Sequence, residues 1–344
     1  MVCCLRFPVE IDMSNILDLL LFAVAVVLIG KGADWFTEAA VKIAEATNVP
    51  KVIIGATIVS IATTLPEFSV SAIATVQKNT DMAVGNAIGS CICNIGLILG
   101  TCTLAKSSKT DRKLLTHQGM FMLAAGILVF LLTLSGRLHR WGGVILVAGL
   151  ISYIYYSIIT ARSRRDRALL EKIVEEEDAD FPARPTLTNE IMWFVIGAAF
   201  VVGGSRLLVH SGIRLAELLG VSQLIISLTV VALGTSLPEY ITALTATIKG
   251  HQELSVGNII GANILNNFWV LGGCSLIRPL GLNTQSLFLG RPQTQSFDIP
   301  VMFILMTLLV GFGYSKGNLR RWQGGVLFVV YVAYIFTLFT VIRP

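Results

Sequence analysis

Two glutamates, Glu67 and Glu239, end the same short motif in two long apolar segments of the chain. Residues 63–67 read Thr-Thr-Leu-Pro-Glu, and residues 235–239 read Thr-Ser-Leu-Pro-Glu. A carboxylate inside a bilayer is costly and usually marks an ion or proton path. Helix packing alone does not require a proline and an acid together, so the duplication predicts a paired cation site.

A second motif follows each glutamate at the same distance. Residues 85–90 read Gly-Asn-Ala-Ile-Gly-Ser, residues 257–262 read Gly-Asn-Ile-Ile-Gly-Ala, and both pairs of motifs are offset by 172 positions. The glycines of these motifs are predicted to let helices approach closely. Four residues further on, Asn94 and Asn266 share a helix face with positions 90 and 262.

The prolines of the first motif add backbone oxygens to this set of side chains. Pro66 and Pro238 lack an N–H, so they are predicted to break their helices and to free the carbonyls of Ala62 and Gly234. Carboxylate, hydroxyl, amide and carbonyl oxygens together suit Ca²⁺, which takes about 6–8 oxygens at about 2.3–2.6 Å. We expect the metal contacts at Glu67 and Glu239. No catalytic residues are predicted, and no histidine or cysteine set indicates a softer metal.

The composition indicates that the segments holding these residues lie in a membrane. Of 344 residues, 54% are hydrophobic and only 14% are charged, whereas soluble proteins carry about 25% charged residues. The net charge of +5 does not indicate nucleic acid, because the basic residues lie in short loops. Ten segments are long enough to span a bilayer: 15–32, 52–76, 83–104, 115–134, 141–160, 190–210, 221–247, 254–277, 297–314 and 322–342.

The internal repeat predicts how these spans are organised. We expect an N-terminal extension (1–14), a first five-helix repeat (15–160), a charged linker (161–188) and a second five-helix repeat (189–344). An odd number of spans in each repeat forces the halves into opposite orientations. The predicted fold is therefore an all-α membrane protein of ten transmembrane helices, built as two inverted-topology repeats.

The distribution of lysine and arginine predicts the orientation. With the N-terminus outside, 16 basic residues fall in the inner loops and nine on the outer side. Because inner loops are enriched in basic residues, both termini are expected outside and the linker inside the cell.

Over nearly its whole length the chain resembles the calcium/cation antiporter superfamily, and it is most similar to the prokaryotic sodium/calcium exchangers. The two alpha-repeats of that family correspond to Gly55–Gly100 and Ser227–Gly272, and residues 321–324 read Arg-Trp-Gln-Gly, as in the family. The resemblance implies a secondary active antiporter that exchanges Ca²⁺ for Na⁺ by alternating access in a prokaryotic plasma (inner) membrane. It implies no enzyme activity and no cofactor besides the transported ions.

The resemblance also implies the ligands of each ion. The implied calcium ligands are Thr63, Glu67, Thr235 and Glu239. Asn266 stands where many relatives, including the potassium-dependent ones, have aspartate, and Ala262 stands where many have serine. The implied sodium ligands are Ser60, Thr63, Thr64, Glu67, Ser90, Asn94, Ala232, Thr235, Ser236, Glu239 and Asn266.

Other functions fit part of the pattern. The same scaffold could exchange protons for Ca²⁺ if the two glutamates carry protons. A cation channel is less favoured, because channels usually build their pores by oligomerisation. An intramembrane acid hydrolase would have no use for the surrounding hydroxyl and amide groups. The expected surroundings are the lipid bilayer, Ca²⁺ and Na⁺, without nucleic acid or an obligate protein partner.

Overall fold

The computed structural model describes residues 13–109, 112–175, 187–218, 234, 236–282, 287–288, 290–316 and 318–340. This part of the chain is almost entirely helical. Its α-helices are α1 (Met13–Thr47), α2 (Lys51–Ile54), α3 (Ser60–Val76), α4 (Thr80–Cys93), α5 (Gly100–Ala105), α6 (Arg112–Leu132), α7 (Arg140–Glu175), α8 (Leu187–Leu218), α9 (Leu237–Ile248), α10 (Gln252–Leu265), α11 (Gly272–Ile277), α12 (Ile299–Lys316) and α13 (Arg321–Thr340). Four π-helical segments join some of them: π1 (Gly55–Val59), π2 (Asn94–Leu99), π3 (Asn266–Leu271) and π4 (Thr294–Asp298).

Within the described residues, nine helical segments are long and apolar enough to cross a membrane. They correspond to nine of the ten predicted spans. The tenth prediction, 221–247, falls largely outside the described residues, and its second half is carried by α9. The chain is therefore a multi-pass, all-helical membrane protein.

Several helices run beyond their predicted spans, two of them by more than ten residues. α1 continues to Thr47 rather than ending at residue 32, and α7 continues to Glu175, inside the predicted linker. Polar residues occur in α1 after residue 32. They lower the local hydropathy, and the predicted span therefore ended there. The helix continues because Ala33, Phe36 and Ala40 are buried along it, and alanine is the strongest helix former.

α1 and α8, the first helices of the two predicted repeats, pack against each other in antiparallel directions. Lys42 forms an ion pair with Glu190 at 3.6 Å, and Arg214 forms one with Asp18 at 3.5 Å near the opposite ends of the helices. A shift of 172 positions converts each of these pairs into the other. Such reciprocal contacts are what an inverted repeat predicts. The inverted arrangement of the complete halves, like the proposed domain boundaries, stays a prediction.

Short antiparallel strand pairs join the helix ends of the two halves. β1 (Ser108–Lys109) pairs with β6 (Asn318–Leu319), and β2 (Arg137–Leu138) pairs with β3 (Leu280–Gly281). The hairpin strands β4 (Leu287–Phe288) and β5 (Arg291–Pro292) pair with each other. The first two pairs each join one half to the other, so they fix the halves at the membrane surfaces.

The motif glycines bring backbones into contact at the centre of the molecule. A Cβ atom added to Gly257 would lie 2.2 Å from the carbonyl oxygen of Val52, and one on Gly261 would lie 2.5 Å from that of Ala56. The predicted close approach is therefore confirmed for α10 against α2 and π1. Around Gly85 and Gly89, no described heavy atom lies within 4 Å of such a Cβ. In the second half, the offset of 172 relates Val52 and Ala56 to positions 224 and 228. The segment 224–228 lies outside the described residues.

The prediction that Pro66 breaks its helix is wrong. α3 continues on both sides of Pro66, which is buried inside it. A proline removes one backbone hydrogen bond, and in a buried membrane helix neighbouring groups can make up for that loss. The departure from α geometry lies earlier, at π1.

Candidate cation site

α3 carries four of the six predicted ligands of the first half. Ser60, Thr63, Thr64 and Glu67 are all buried, and Glu67 has no exposed surface. The Ser60 hydroxyl donates to the carbonyl oxygen of Thr57 at 3.0 Å. The spacing of three and four residues places both threonine hydroxyls on the same helix face as the Glu67 carboxylate.

α9 presents the corresponding residues of the second half. Ser236 precedes the helix, Glu239 lies in its first turn, and both are buried. Pro238 also lies in this first turn, where its missing N–H leaves no helical hydrogen bond unmade. The Ser236 hydroxyl donates to the Ser90 hydroxyl at 3.3 Å, so predicted sodium ligands of the two halves meet. The other predicted ligands of this segment, Thr235 and Ala232, lie outside the described residues.

The two carboxylates are both buried at this junction. They lie close enough to repel each other electrostatically, and the Glu239 carboxylate lies beside the hydroxyls of Thr63 and Thr64. In the described part of the chain, none of the four carboxylate oxygens accepts a hydrogen bond of good geometry. Because unpaired buried charges are strongly destabilising, this pair requires positive charge, supplied by a cation or by protons.

Two asparagines add amide oxygens at the same junction. Asn94 begins π2 and Asn266 begins π3, at positions 172 apart. π3 packs against α3 and π2 packs against α9, the helices that carry the glutamates. The amide oxygen of Asn94 and both polar atoms of the Asn266 side chain have no hydrogen-bond partner among the described residues. Because these two amide oxygens are buried without a partner in the described chain, both are suitable cation ligands. π-Helical turns also occur frequently at functional sites.

A third asparagine, Asn263, was missed by the sequence analysis. Its Oδ1 accepts from Nδ2 of Asn94 at 3.1 Å, and its Nδ2 donates to the carbonyl oxygen of Cys91 at 3.4 Å. In return, the Cys91 thiol contacts the carbonyl oxygen of Asn263 at 3.8 Å. The offset of 172, which relates Cys91 to Asn263, was the signal that could have found this pair.

The asparagines of the Gly-Asn motifs hold the two ligand helices in place. Asn86 donates through Nδ2 to the Ser71 hydroxyl at 2.9 Å and to the carbonyl oxygen of Glu67 at 3.2 Å. Asn258 accepts from the Thr63 hydroxyl at 3.3 Å. These motifs were expected to act mainly through their glycines. In the structure, their asparagines contact the helices that bear the ligands.

The chemistry of the site is that of a hard cation. The described residues contain no cluster of three or more His, Cys, Asp or Glu side chains. The four described cysteines are free and buried. Two carboxylates with hydroxyl and amide oxygens match the preference of Ca²⁺ for oxygen ligands and offer little to a thiophilic metal.

The family model described as sodium/calcium exchanger protein matches residues 17–159 and 189–340. These two ranges follow the two predicted repeats and leave out the whole predicted linker. The chain belongs to the sodium/calcium exchanger family. Members of this family are transporters, so the chain is not an enzyme.

Relatives in the sodium/calcium exchanger family match this chain along almost its full length. The sodium/calcium exchanger MaX1 of Methanosarcina acetivorans is 30% identical over 352 residues, covering 94% of this chain and 98% of its own. The inner membrane protein YrbG of Escherichia coli is 31% identical over 322 residues, covering 92% and 96%. A structure of the sodium-calcium exchanger NCX_Mj soaked with 10 mM Na⁺ and no Ca²⁺ superposes with a TM-score of 0.79 at 28% identity, covering 94% and 99%.

Proposed function

We propose that this chain is a secondary active antiporter that exchanges Ca²⁺ for Na⁺ by alternating access. The observation that carries the proposal is the buried pair of Glu67 and Glu239, whose oxygens accept no hydrogen bond of good geometry in the described chain. Two unneutralised carboxylates cannot readily be moved through a bilayer. One Ca²⁺ or more than one Na⁺ neutralises the pair, so the ions compete for one set of oxygens and their movements are coupled. The names of MaX1 and NCX_Mj support this choice of ions.

The proposed calcium ligands are Thr63, Glu67, Thr235 and Glu239. The contact of Glu239 with Thr63 and Thr64 supports this set. The repeat offset relates Thr63 and Thr64 to Thr235 and Ser236, and it relates Glu239 to Glu67. We therefore expect Thr235 and Ser236 to lie beside Glu67. The proposed sodium ligands are those implied by the family, with Ser60, Ser90, Asn94, Ala232 and Asn266 completing the set.

The test is Ca²⁺ uptake into proteoliposomes with Na⁺, K⁺ or H⁺ as the only imposed gradient. We expect uptake to follow an outward Na⁺ gradient and to be absent with either other gradient. Uptake driven by a proton gradient alone would favour proton/calcium exchange on the same scaffold. Uptake without any counter-gradient would indicate a channel.

We predict that exchange requires Na⁺ but not K⁺. Aspartate at position 266 would add a third carboxylate to the site, which an additional monovalent cation could neutralise, whereas Asn266 offers an amide oxygen without charge. Leaving such a charge uncompensated in this low-dielectric site costs several kcal/mol of free energy. The measurement is Na⁺-driven Ca²⁺ flux with K⁺ replaced by choline on both sides, where we expect an unchanged rate. Asn266→Asp is the matched variant, and a flux that collapses without K⁺ in the native protein would contradict the argument.

We further propose that the chain lies in a prokaryotic plasma (inner) membrane with both termini outside. The excess of basic residues in the predicted inner loops supports this orientation, and the relative YrbG is named an inner membrane protein. Ser163, at the end of the membrane-spanning part of α7, and Ser135, between α6 and α7, are both exposed. We predict that Ser163→Cys reacts with a membrane-impermeant thiol reagent only from the cytoplasmic side, and Ser135→Cys only from outside. The reverse pattern in intact cells would invert the topology.

A further inference from the structure

Two aromatic rings stack beside the cation site. Phe68 directly follows Glu67 in α3, and Trp269 lies three residues after Asn266 in π3. The ring centroids of Phe68 and Trp269 are 4.7 Å apart, and their planes differ by 15°. The stack therefore joins the helix that bears Glu67 to the π-helical turn that bears Asn266.

The first turn of α11 also contacts the Phe68 ring. A Cβ atom added to Gly273 would lie 2.9 Å from Cε2 of Phe68, so the ring fits closely against the backbone at this position. Trp269 and Gly273 belong to the same helical run, which begins at Asn266 and continues into α11. Two residues of this run thus hold one ring of α3.

Hydrogen bonds attach π3 to helices other than α3. Asn267, the residue after Asn266, donates through Nδ2 to the carbonyl oxygen of Asn263 on α10 at 2.9 Å and contacts the Cys91 thiol on α4 at 3.5 Å. Within the residues that the structure describes, no side-chain hydrogen bond joins α3 to π3. The placement of π3 against α3 therefore rests on apolar packing, to which the stacked rings contribute.

The first half orients its related asparagine in a different way. Asn94 donates through Nδ2 to Oδ1 of Asn263 at 3.1 Å, which leaves Oδ1 of Asn94 free for a cation. The offset of 172 places Cys91 where Asn266 would need the same acceptor. Both polar atoms of the Asn266 side chain have no partner in the described part of the chain. The position of Asn266 is therefore set by the placement of π3 as a whole.

The related positions of the other half cannot form the same stack. The offset of 172 relates Phe68 to Tyr240 and Trp269 to Leu97. Because leucine has no aromatic face, the stack is specific to the half of the site that contains Glu67 and Asn266. One amide is thus oriented by a hydrogen bond, and the other is positioned by stacked rings.

We propose that Trp269 is a positioning residue, which holds Asn266 against Glu67 through its stack on Phe68 and so sets the affinity for Na⁺ relative to Ca²⁺. The inference rests on the proposed function, in which Asn266 is a ligand of Na⁺ but not of Ca²⁺. A monovalent ion gains about half the Coulomb energy of a divalent ion from the same carboxylates, so neutral oxygens supply a larger share of its binding. Loss of the stack should therefore weaken Na⁺ binding and spare Ca²⁺ binding.

The test is the stabilisation of the purified protein in detergent by each ion. Because a bound ion raises the unfolding midpoint, a series of Na⁺ or Ca²⁺ concentrations gives the half-maximal concentration of each ion, with choline keeping the ionic strength constant. In Trp269→Leu we expect the half-maximal concentration of Na⁺ to rise by about twofold to tenfold, while that of Ca²⁺ stays unchanged. This range corresponds to about 0.4–1.4 kcal/mol, which is typical of an aromatic pair.

Two further variants control for the loss of a large side chain. Trp269→Phe keeps a ring that can stack on Phe68, so it should retain the native half-maximal concentration of Na⁺. Trp322→Leu is the matched control, because Trp322 packs against Phe312 in another aromatic pair, with ring centroids 5.4 Å apart. This second pair lies on α12 and α13, which bear no proposed ligand, so both ion affinities should stay unchanged.

A Trp269→Leu protein that loses affinity for both ions equally, or for neither, would overturn the proposal. If that variant does not fold, Phe68→Leu removes the other ring and should produce the same selective change. Unchanged Na⁺ binding in Phe68→Leu would equally contradict the proposal. Binding in detergent requires no transport, so a failure of this inference is distinguishable from a failure of the proposed exchange in the flux test.

Discussion

Glu67→Gln and Glu239→Gln are each expected to abolish Ca²⁺ transport while the protein still folds and inserts. Each carboxylate is fully buried, and the two lie close enough to repel each other electrostatically. Removing one partner from a buried charged assembly costs about 3–5 kcal/mol, which is roughly a 100-fold loss of ion affinity or more. The amide keeps the shape and hydrogen-bonding size of the acid, so packing is retained. The measurement is Na⁺-driven Ca²⁺ uptake into proteoliposomes, with the elution profile in detergent reporting on the fold.

Asp298 supplies a matched control for these two variants. It is a buried acid in another spanning segment, where it accepts hydrogen bonds from Gln293 and Tyr334. Asp298→Asn should retain most of the uptake because Asn can still accept these bonds. Native uptake in either glutamate variant would remove that residue from the site.

A second large effect is expected where α10 touches α2 and π1. In Gly257→Ala the new methyl group would lie 2.2 Å from the carbonyl oxygen of Val52, so one helix must move. Alanine favours a helix by about 1 kcal/mol over glycine, whereas overpacking costs about 1–3 kcal/mol and sometimes more. We expect a lower unfolding midpoint in detergent and strongly reduced transport, because α10 carries Asn258 and leads into Asn266.

Gly311→Ala is the control for this packing argument. Gly311 lies within α12, and none of the described heavy atoms is within 4 Å of a Cβ built on it. Its replacement should leave transport unchanged and stability equal or slightly higher. A Gly257→Ala protein as stable and active as the Gly311→Ala protein would show that the contact between the helices adapts without cost.

The sequence was sufficient to predict the family and nine of the spans, because apolar runs and duplicated motifs leave clear signals. Apolar runs reveal membrane helices, and the offset of 172 relates Glu67 to Glu239 and Asn94 to Asn266. The family match over both halves and the almost entirely helical membrane fold confirm the predicted family and fold class, whereas the inverted repeat stays a prediction. The roles of the individual ligands stay predictions.

Other features could not be predicted, because they depend on contacts between distant segments. The π-helical turns at Asn94 and Asn266 have no distinct signature in the sequence. The continuation of α1 to Thr47 depends on its packing against α8, which hydropathy does not measure. Asn263 lies one residue after Ala262, the position that the helix-face argument selected, so its relation to Cys91 was the signal for it.

The ion pairs at the two ends of α1 and α8 have a consequence for energy conservation in the cell. Asp18 binds Arg214 near one end, and Lys42 binds Glu190 near the other, so the two helices are joined as one body. This single body packs against α3 and α9, which carry the glutamates, so we expect it to move as a unit and to expose the site to one side of the membrane at a time. We expect this linkage to prevent a leak, in which Na⁺ would run down its gradient without moving any Ca²⁺.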